Sequence, residues 1–292
     1  MLGKTNKTAI RDYMSMVKFG HTLFAMPFAL TGFFLGVMNT QGSLSWKLLF
    51  LVVLCMVFAR NAAMGFNRYI DRDIDSKNPR TSKREIPAGI VKARSALVFV
   101  ILNSLLFIAC TWFINPISFY LSPIALLVVL GYSLTKKFTS LCHFVLGIGL
   151  ALAPIGAYLA VTGTFDWLPL FYSLLVLFWV SGFDMLYALQ DEDFDKSMNL
   201  RSIVVLLGKK GALRLSGVVH LLSAGFVLVI GILAGFGVYY WIGSIIFAGL
   251  LAYQHFIVKP DDLSRVNLAF FTTNGIASVV FAVFNITDIL MR

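Results

Sequence analysis

Charge is what this chain has least of. Lysine, arginine, aspartate and glutamate make up 13% of its residues, while 59% are hydrophobic. A soluble domain carries roughly twice that share of charge. With so little polar surface a soluble fold would not stay dissolved, so the composition points to an integral membrane protein in contact with the lipid bilayer. Cysteine is scarce as well. Cys55, Cys110 and Cys142 lie far apart in apolar runs and form no CxxC pair, which leaves them as small buried hydrophobes. The four histidines, His21, His143, His220 and His255, show no HxxxH or HExxH spacing, so no zinc centre is expected. Alternation of apolar and polar positions is missing, which excludes membrane strands. The N-terminal stretch MLGKTNKTAIRDYMSMVKFGHTLF is polar for too long and lacks a small-residue cleavage site, so no removable signal peptide is expected.

What is there is a series of apolar windows, each near the roughly 20 residues that a helix needs to cross the hydrocarbon. They cover 16–38, 46–68, 95–114, 117–134, 141–162, 167–190, 211–234, 237–257 and 266–289. The expectation is an all-α membrane protein, a single domain over 1–292 built from nine transmembrane helices. Basic residues orient it. With the N-terminus in the cytoplasm, all but three of the 24 lysines and arginines fall in cytoplasmic segments; Lys47 and Arg292 lie outside, and Arg60 lies inside the second span. That bias predicts a cytoplasmic N-terminus and an external C-terminus. It also accounts for the net charge of +10 with no nucleic acid, because a basic cytoplasmic face meets anionic lipid.

The few acids are not spread evenly. Of 14, eight fall in two clusters: Asp71, Asp73 and Asp75 at the inner end of the second span, and Asp184, Asp191, Glu192, Asp193 and Asp195 at the inner end of the sixth. Asn67, Asp71 and Asp75 recur every four residues and form one helical stripe. Asp184, Tyr187, Asp191 and Asp195 step by three and four and form a second. Asp73, Glu192 and Asp193 fall off the stripes and are expected to face water. Like charges at i and i+4 cost a helix about 0.2–0.5 kcal/mol per pair, so two such stripes call for something positive between them. Magnesium fits, since it takes hard oxygen ligands and binds through one or two carboxylates plus substrate phosphates. Arg80, Lys83, Arg84, Lys136 and Lys137 are then candidates to grip phosphate oxygens. Asp184 and Asn67 lie back inside apolar helix, where an ionised aspartate costs about 2.5–3.5 kcal/mol near the centre, and intramembrane acids mark functional sites.

At these residues the sequence resembles the UbiA superfamily of intramembrane aromatic prenyltransferases, over nearly the whole chain. NRYIDRDID, from Asn67, looks like the family's NxxxDxxxD, and YALQDEDFD carries its second DxxxD. YSLTKK, with Tyr132 and Lys136, is similar to the family's Tyr-x-x-x-Lys segment. RTSKREIPAG is similar to RTxxRPLPxG, with Glu85 in place of the family's usual proline. The resemblance implies nine helices and transfer of a prenyl group from a polyprenyl diphosphate to an aromatic acid acceptor. It implies Mg2+ held by Asp71, Asp75, Asp191 and Asp195 with Asn67 assisting, cleavage to an allylic cation, and attack by the ring ortho to its hydroxyl. The substrate-binding candidates are Lys18, His21, Arg60, Arg80, Arg84, Tyr132, Lys136, Lys137, Asp184 and Tyr187. Lys18 and His21, three apart on one face of the first span, are candidates for the acceptor's carboxylate; an interfacial anchor and a buried polar residue are the plain alternatives for them.

The expected acceptor is 4-hydroxybenzoate, with a dihydroxynaphthoate as the alternative, in ubiquinone or menaquinone biosynthesis at a bacterial inner membrane, with the site on the cytoplasmic side. Three rivals stand beside this reading. A transporter would also carry intramembrane acids, although near the midplane. An assembly partner with a dead site would have no need of intact acidic stripes. A relative acting on a haem or chlorophyll precursor would share the motifs.

Overall fold

The structure is a computed structural model and describes residues 6–18 and 24–292. Among them the chain is helical throughout, apart from one isolated bridge between Lys259 and Asp262. A short α1 (Asn6–Met16) precedes α2 (Met26–Thr40), α3 (Trp46–Lys77), α4 (Ala93–Trp112), α5 (Pro116–Thr135), α6 (Cys142–Thr162) and α7 (Trp167–Ala188). A tight turn (Leu189–Asp191) leads into α8 (Glu192–Ser197). Then come α9 (Ile203–Leu233), α10 (Val238–Ile257), a wide turn (Leu268–Thr273) and α11 (Asn274–Leu290).

Local chemistry sets several of these starts. Ser45, Asn115, Asp166 and Ser202 each turn a side-chain oxygen onto an otherwise unpaired N–H at the head of α3, α5, α7 and α9. Pro27 and Pro116 occupy the first turn of α2 and α5, where a missing N–H costs nothing. Gly208 bends α9 near its start at φ 67, a left-handed conformation that side chains rarely adopt.

Among the described residues eight helices are long and apolar enough to cross a bilayer, and α2 is a shorter apolar helix in the first predicted position. The expected uninterrupted span 16–38 is therefore divided. α1 ends at Met16, Lys18 sits in the following turn at φ 49, and a new helix starts beside Pro27. At 15 residues α2 is about 22 Å long, short of the roughly 30 Å of hydrocarbon. At the other extreme α3 has 32 residues and a length of about 48 Å, so its acidic end extends beyond the apolar stretch.

Large apolar side chains such as Leu105, Leu127, Leu221, Ile245 and Phe256 point outward to lipid. The interior is aromatic, with Trp179, Tyr172, Tyr240, Phe28, Phe247 and Phe281 almost fully buried. Association of helices in lipid relies on close backbone approach at small residues. A Cβ on Gly32 would lie 2.0 Å from the Pro154 carbonyl oxygen, which joins α2 to α6, and one on Gly147 would lie 2.6 Å from the Leu177 carbonyl oxygen, which joins α6 to α7. Polar pins complete the interior: Asn274 Oδ1 accepts from Trp179 Nε1 at 3.0 Å and from Gln254 Nε2 at 2.7 Å. Histidines scattered in sequence also meet, with His220 Nδ1 2.9 Å from His255 Nε2. The chain is thus a multi-pass helical bundle.

Candidate active site

The first stripe is intact. α3 runs without interruption through Asn67, Asp71 and Asp75, and both aspartates are buried. Asn67 Nδ2 donates to Asp71 Oδ2 at 3.0 Å. The second stripe is broken in the backbone: Asp184 and Tyr187 stand on α7, Asp191 on the tight turn, and Asp195 on α8. All four nonetheless face one cavity of about 290 Å³, together with Arg60, Asn67, Arg84, Tyr132 and Lys136. Of the acids predicted to face water, Asp73 and Asp193 are exposed. Glu192 is not; it is buried, and Lys196 Nζ donates to it at 2.6 Å.

Each of three stripe carboxylates is held by a cation from another segment. Lys136 Nζ, at the end of α5, lies 2.6 Å from Asp71 Oδ2. Arg84 Nη1, on the loop after α3, reaches both oxygens of Asp75 at 2.7 and 2.8 Å. Arg80, on the same loop, donates from Nε to Asp191 Oδ1 at 3.0 Å and from Nη1 to the Tyr187 hydroxyl at 2.8 Å, with its guanidinium 5.1 Å from the Tyr187 ring centroid. Burial works against the charge of Arg80, but the Asp191 carboxylate and the Tyr187 hydroxyl outweigh it, so its pKa lies above the ordinary arginine value. Asn78 adds a contact to Asp191 Oδ1 at 3.3 Å, so the loop ties the two acidic walls together. Asp184 is held differently, with its Oδ2 2.7 Å from His143 Nδ1.

Three predicted substrate residues fall away from this cluster or cannot be placed in it. Lys137 and Lys18 are exposed, and neither lines the cavity. Lys18 sits in a turn, and His21 lies outside the described residues. Several residues were missed. His143 lines the cavity, Asn78 reaches Asp191, and buried Arg68 stands beside Asn67. Cys142, expected to be a buried hydrophobe, is only half-buried and lines the same cavity. Glu85, which replaces the family's proline, is buried and accepts from Ser15 Oγ of α1 at 2.5 Å.

A second cavity, of about 390 Å³, opens alongside. Val52, Met56, Phe107, Leu121, Val128 and Ile155 are among the apolar side chains of α3 to α6 that line it. Arg60, Tyr132, Leu146 and Leu150 line both cavities, so the polar chamber leads into the apolar one. Arg60 has its Nε buried without a hydrogen-bond partner.

The donor set can be judged against magnesium. Every stripe ligand is a hard oxygen, and Asp71 Oδ1 is buried with no hydrogen-bond partner. Among the described residues no three such side chains converge into a closed cage. Two carboxylate stripes without a cage suit a metal that completes its shell with water and substrate phosphate.

A model of the UbiA prenyltransferase family matches residues 25–276. The chain belongs to the UbiA prenyltransferase family. Prenyl transfer to an aromatic acceptor is the activity that goes with this membership. A 4-hydroxybenzoate octaprenyltransferase of Tolumonas auensis is 30% identical over 243 residues, 83% of this chain and 85% of the relative. The apo structure of a UbiA homolog from Aeropyrum pernix K1 superimposes with a TM-score of 0.78 at 28% identity, covering 93% of this chain and 97% of that one. A UbiA homolog from Archaeoglobus fulgidus bound to DMAPP and Mg2+ shares the fold, with a TM-score of 0.74 at 21% identity over 96% of this chain and 100% of that one.

Proposed function

We propose that this UbiA enzyme transfers a polyprenyl group from a polyprenyl diphosphate to an aromatic carboxylic acid in quinone biosynthesis. 4-Hydroxybenzoate is the first candidate acceptor and a dihydroxynaphthoate the second. One observation carries the reading: a polar chamber lined by Asn67 of the first stripe and by Asp184, Asp191 and Asp195 of the second shares Arg60 and Tyr132 with an apolar cavity alongside it. A diphosphate has its place in the first and a prenyl tail in the second.

Magnesium, held through Asp71, Asp75, Asp191 and Asp195 with Asn67 beside them, would supply charge that stabilises the departing diphosphate. Lys136, Arg84 and Arg80 already stand at those carboxylates. In the loaded site they turn to phosphate oxygens, as charge-assisted hydrogen bonds favour. The aromatic and aliphatic walls exclude water from an allylic cation that water would quench, and the rings of Phe183, Tyr187 and Phe270 stand nearby to stabilise it. Arg60 is the group for the acceptor's carboxylate: it is recessed at the junction, and its Nε lacks a hydrogen-bond partner. Lys18 is then an interfacial anchor.

The expected nine-span arrangement, with α2 as the first crossing, puts the N-terminus and the site on the cytoplasmic side of a bacterial inner membrane. The test is product analysis of the purified protein given prenyl diphosphates of several lengths and a panel of aromatic acids. A C-prenylated hydroxyarene is the expected product. Hydrolysis alone, or no reaction with any hydroxyarene, would remove the reading.

A further inference from the structure

Among the described residues two acids of this chamber, Asp184 and Asp195, have no lysine or arginine in contact, and Asp184 is the one that a histidine holds instead. It stands on α7 seven residues before Asp191, about 10 Å further along the helix and away from the diphosphate end. Its Oδ2 is fixed at 2.7 Å by His143 Nδ1. A carboxylate can only accept, so the imidazole donates there. Oδ1 has no hydrogen-bond partner among the described residues, and the side chain, 24% exposed, lines the chamber beside Phe183 and Tyr187.

His143 is held in place by the packing of α6 on α7. Gly147, one turn on, lets the helices close to a distance that a Cβ would forbid, and Ser181 Oγ donates to the His143 carbonyl at 3.3 Å. The imidazole is almost fully buried, at 4% exposure. Without it, Asp184 would be free to turn toward the cations that share the chamber, Arg60, Arg68, Arg84 and Lys136. That rotation would carry its open oxygen away from the space that the acceptor ring would occupy.

We infer that Asp184 Oδ1 accepts a hydrogen bond from the ring hydroxyl of the aromatic acceptor, and that His143 is the positioning residue that aims it. The inference rests on the prenyl-transfer reading and adds how the acceptor is activated. When the ring carbon ortho to the hydroxyl bonds to the allylic carbon, the electron pair comes from the ring and positive charge builds on the hydroxyl. An anionic oxygen already placed there, in a site with little water, stabilises that charge in the transition state. The C–O bond breaks with its pair on the diphosphate, and the proton lost from the attacked carbon leaves with the diphosphate oxygens. The hydroxyl keeps its own proton.

The experiment compares a hydroxylated acceptor with its O-methyl ether in the unmodified enzyme, Asp184→Asn, His143→Leu and His143→Asn. Asp184→Asn and His143→Leu are expected to lower kcat on the hydroxyl acceptor by about 10- to 100-fold, the worth of a hydrogen bond to a charged group. The KM for the prenyl diphosphate should stay within about twofold, and the already slow ether should lose little more. His143→Asn, whose amide nitrogen takes the place of Nδ1, should recover most of the rate. Equal losses on hydroxyl and ether, or a rise in donor KM in place of the fall in kcat, would overturn the assignment. If His143→Leu does not fold, Asp184→Asn and His143→Asn decide the matter alone. An unmodified enzyme that prenylates hydroxyarenes while Asp184→Asn matches it sinks this inference and spares the proposed function. An unmodified enzyme that prenylates none sinks both.

Discussion

The Lys136 ammonium lies 2.6 Å from Asp71 Oδ2, while Asp71 Oδ1 is buried and has no hydrogen-bond partner. A buried carboxylate with one oxygen held by a cation and the other open is arranged for a ligand that is itself positive. Asp75 and Asp191 are held more completely, each with both oxygens in contact with an arginine, Arg84 and Arg80 respectively. In the proposed reaction a metal and a diphosphate would exchange partners with these ion pairs.

Asp71→Asn therefore removes a hard ligand while keeping the shape and the hydrogen bond to Asn67. The expected result is a loss of kcat of about 10²- to 10³-fold, the scale on which a lost electrostatic stabiliser of a transition state is felt, in a protein that still inserts and purifies. Chelation of the unmodified enzyme with EDTA should stop turnover and magnesium should restore it. Full activity in a chelated sample would end the metal assignment.

Two half-buried cations and two exposed ones separate phosphate contacts from solvated charge. Lys136→Ala and Arg84→Ala should each raise the KM for the prenyl diphosphate about tenfold or more, since each would lose a hydrogen bond to a charged group. Lys137→Ala and Lys83→Ala alter exposed side chains and should leave it within about twofold. Steady-state kinetics in both substrates makes the comparison, and a uniform effect across the four would return all of them to a solvated basic face.

The bundle itself can be tested at its closest approach. Gly32→Ala would set a Cβ 2.0 Å from the backbone oxygen of Pro154, so α2 and α6 must separate. Overpacking of this kind costs about 1–3 kcal/mol, and the variant should unfold several degrees earlier in detergent. Gly225→Ala meets nothing within 4 Å and should be tolerated or slightly stabilised. Matched melting curves for the two variants would show that the α2–α6 contact is not needed.

What could be read in advance follows a physical divide. The stripe of Asn67, Asp71 and Asp75 was legible because one unbroken helix turns a spacing of four into a face. The members of the second stripe were legible but not its break, because the stretch ALQDED carries neither proline nor glycine to announce a turn at Leu189–Asp191. Which cation meets which acid is set by helix packing across 65 residues between Asp71 and Lys136, and no local pattern encodes that. The first span looked continuous in hydropathy, although Pro27 already marked a new helix start. Glu85 read as a departure from the motif until its partner on α1, Ser15, was seen. His143 left a signal that went unread: it and Asp184 are polar residues near the inner ends of consecutive antiparallel spans, where neighbours meet.

Arg60 and Lys18 make opposite predictions about the acceptor. Arg60 lies at the junction of the two cavities with a buried Nε that has no partner, whereas Lys18 is exposed in a turn. Leaving a guanidinium buried and underpaired is costly, and replacing it with a long apolar side chain is tolerated or even favourable for folding. Arg60→Met should thus keep the protein intact and raise the KM for an aromatic acid about tenfold or more, with donor KM little changed. The matching carboxamide should be a poor acceptor for the unmodified enzyme and should lose less on this substitution, because it has no charge to pair. Lys18→Met should change neither value by more than about twofold. If Lys18→Met weakens the acid while Arg60→Met does not, the carboxylate is received at the turn after α1, and Arg60 serves the fold or the donor instead.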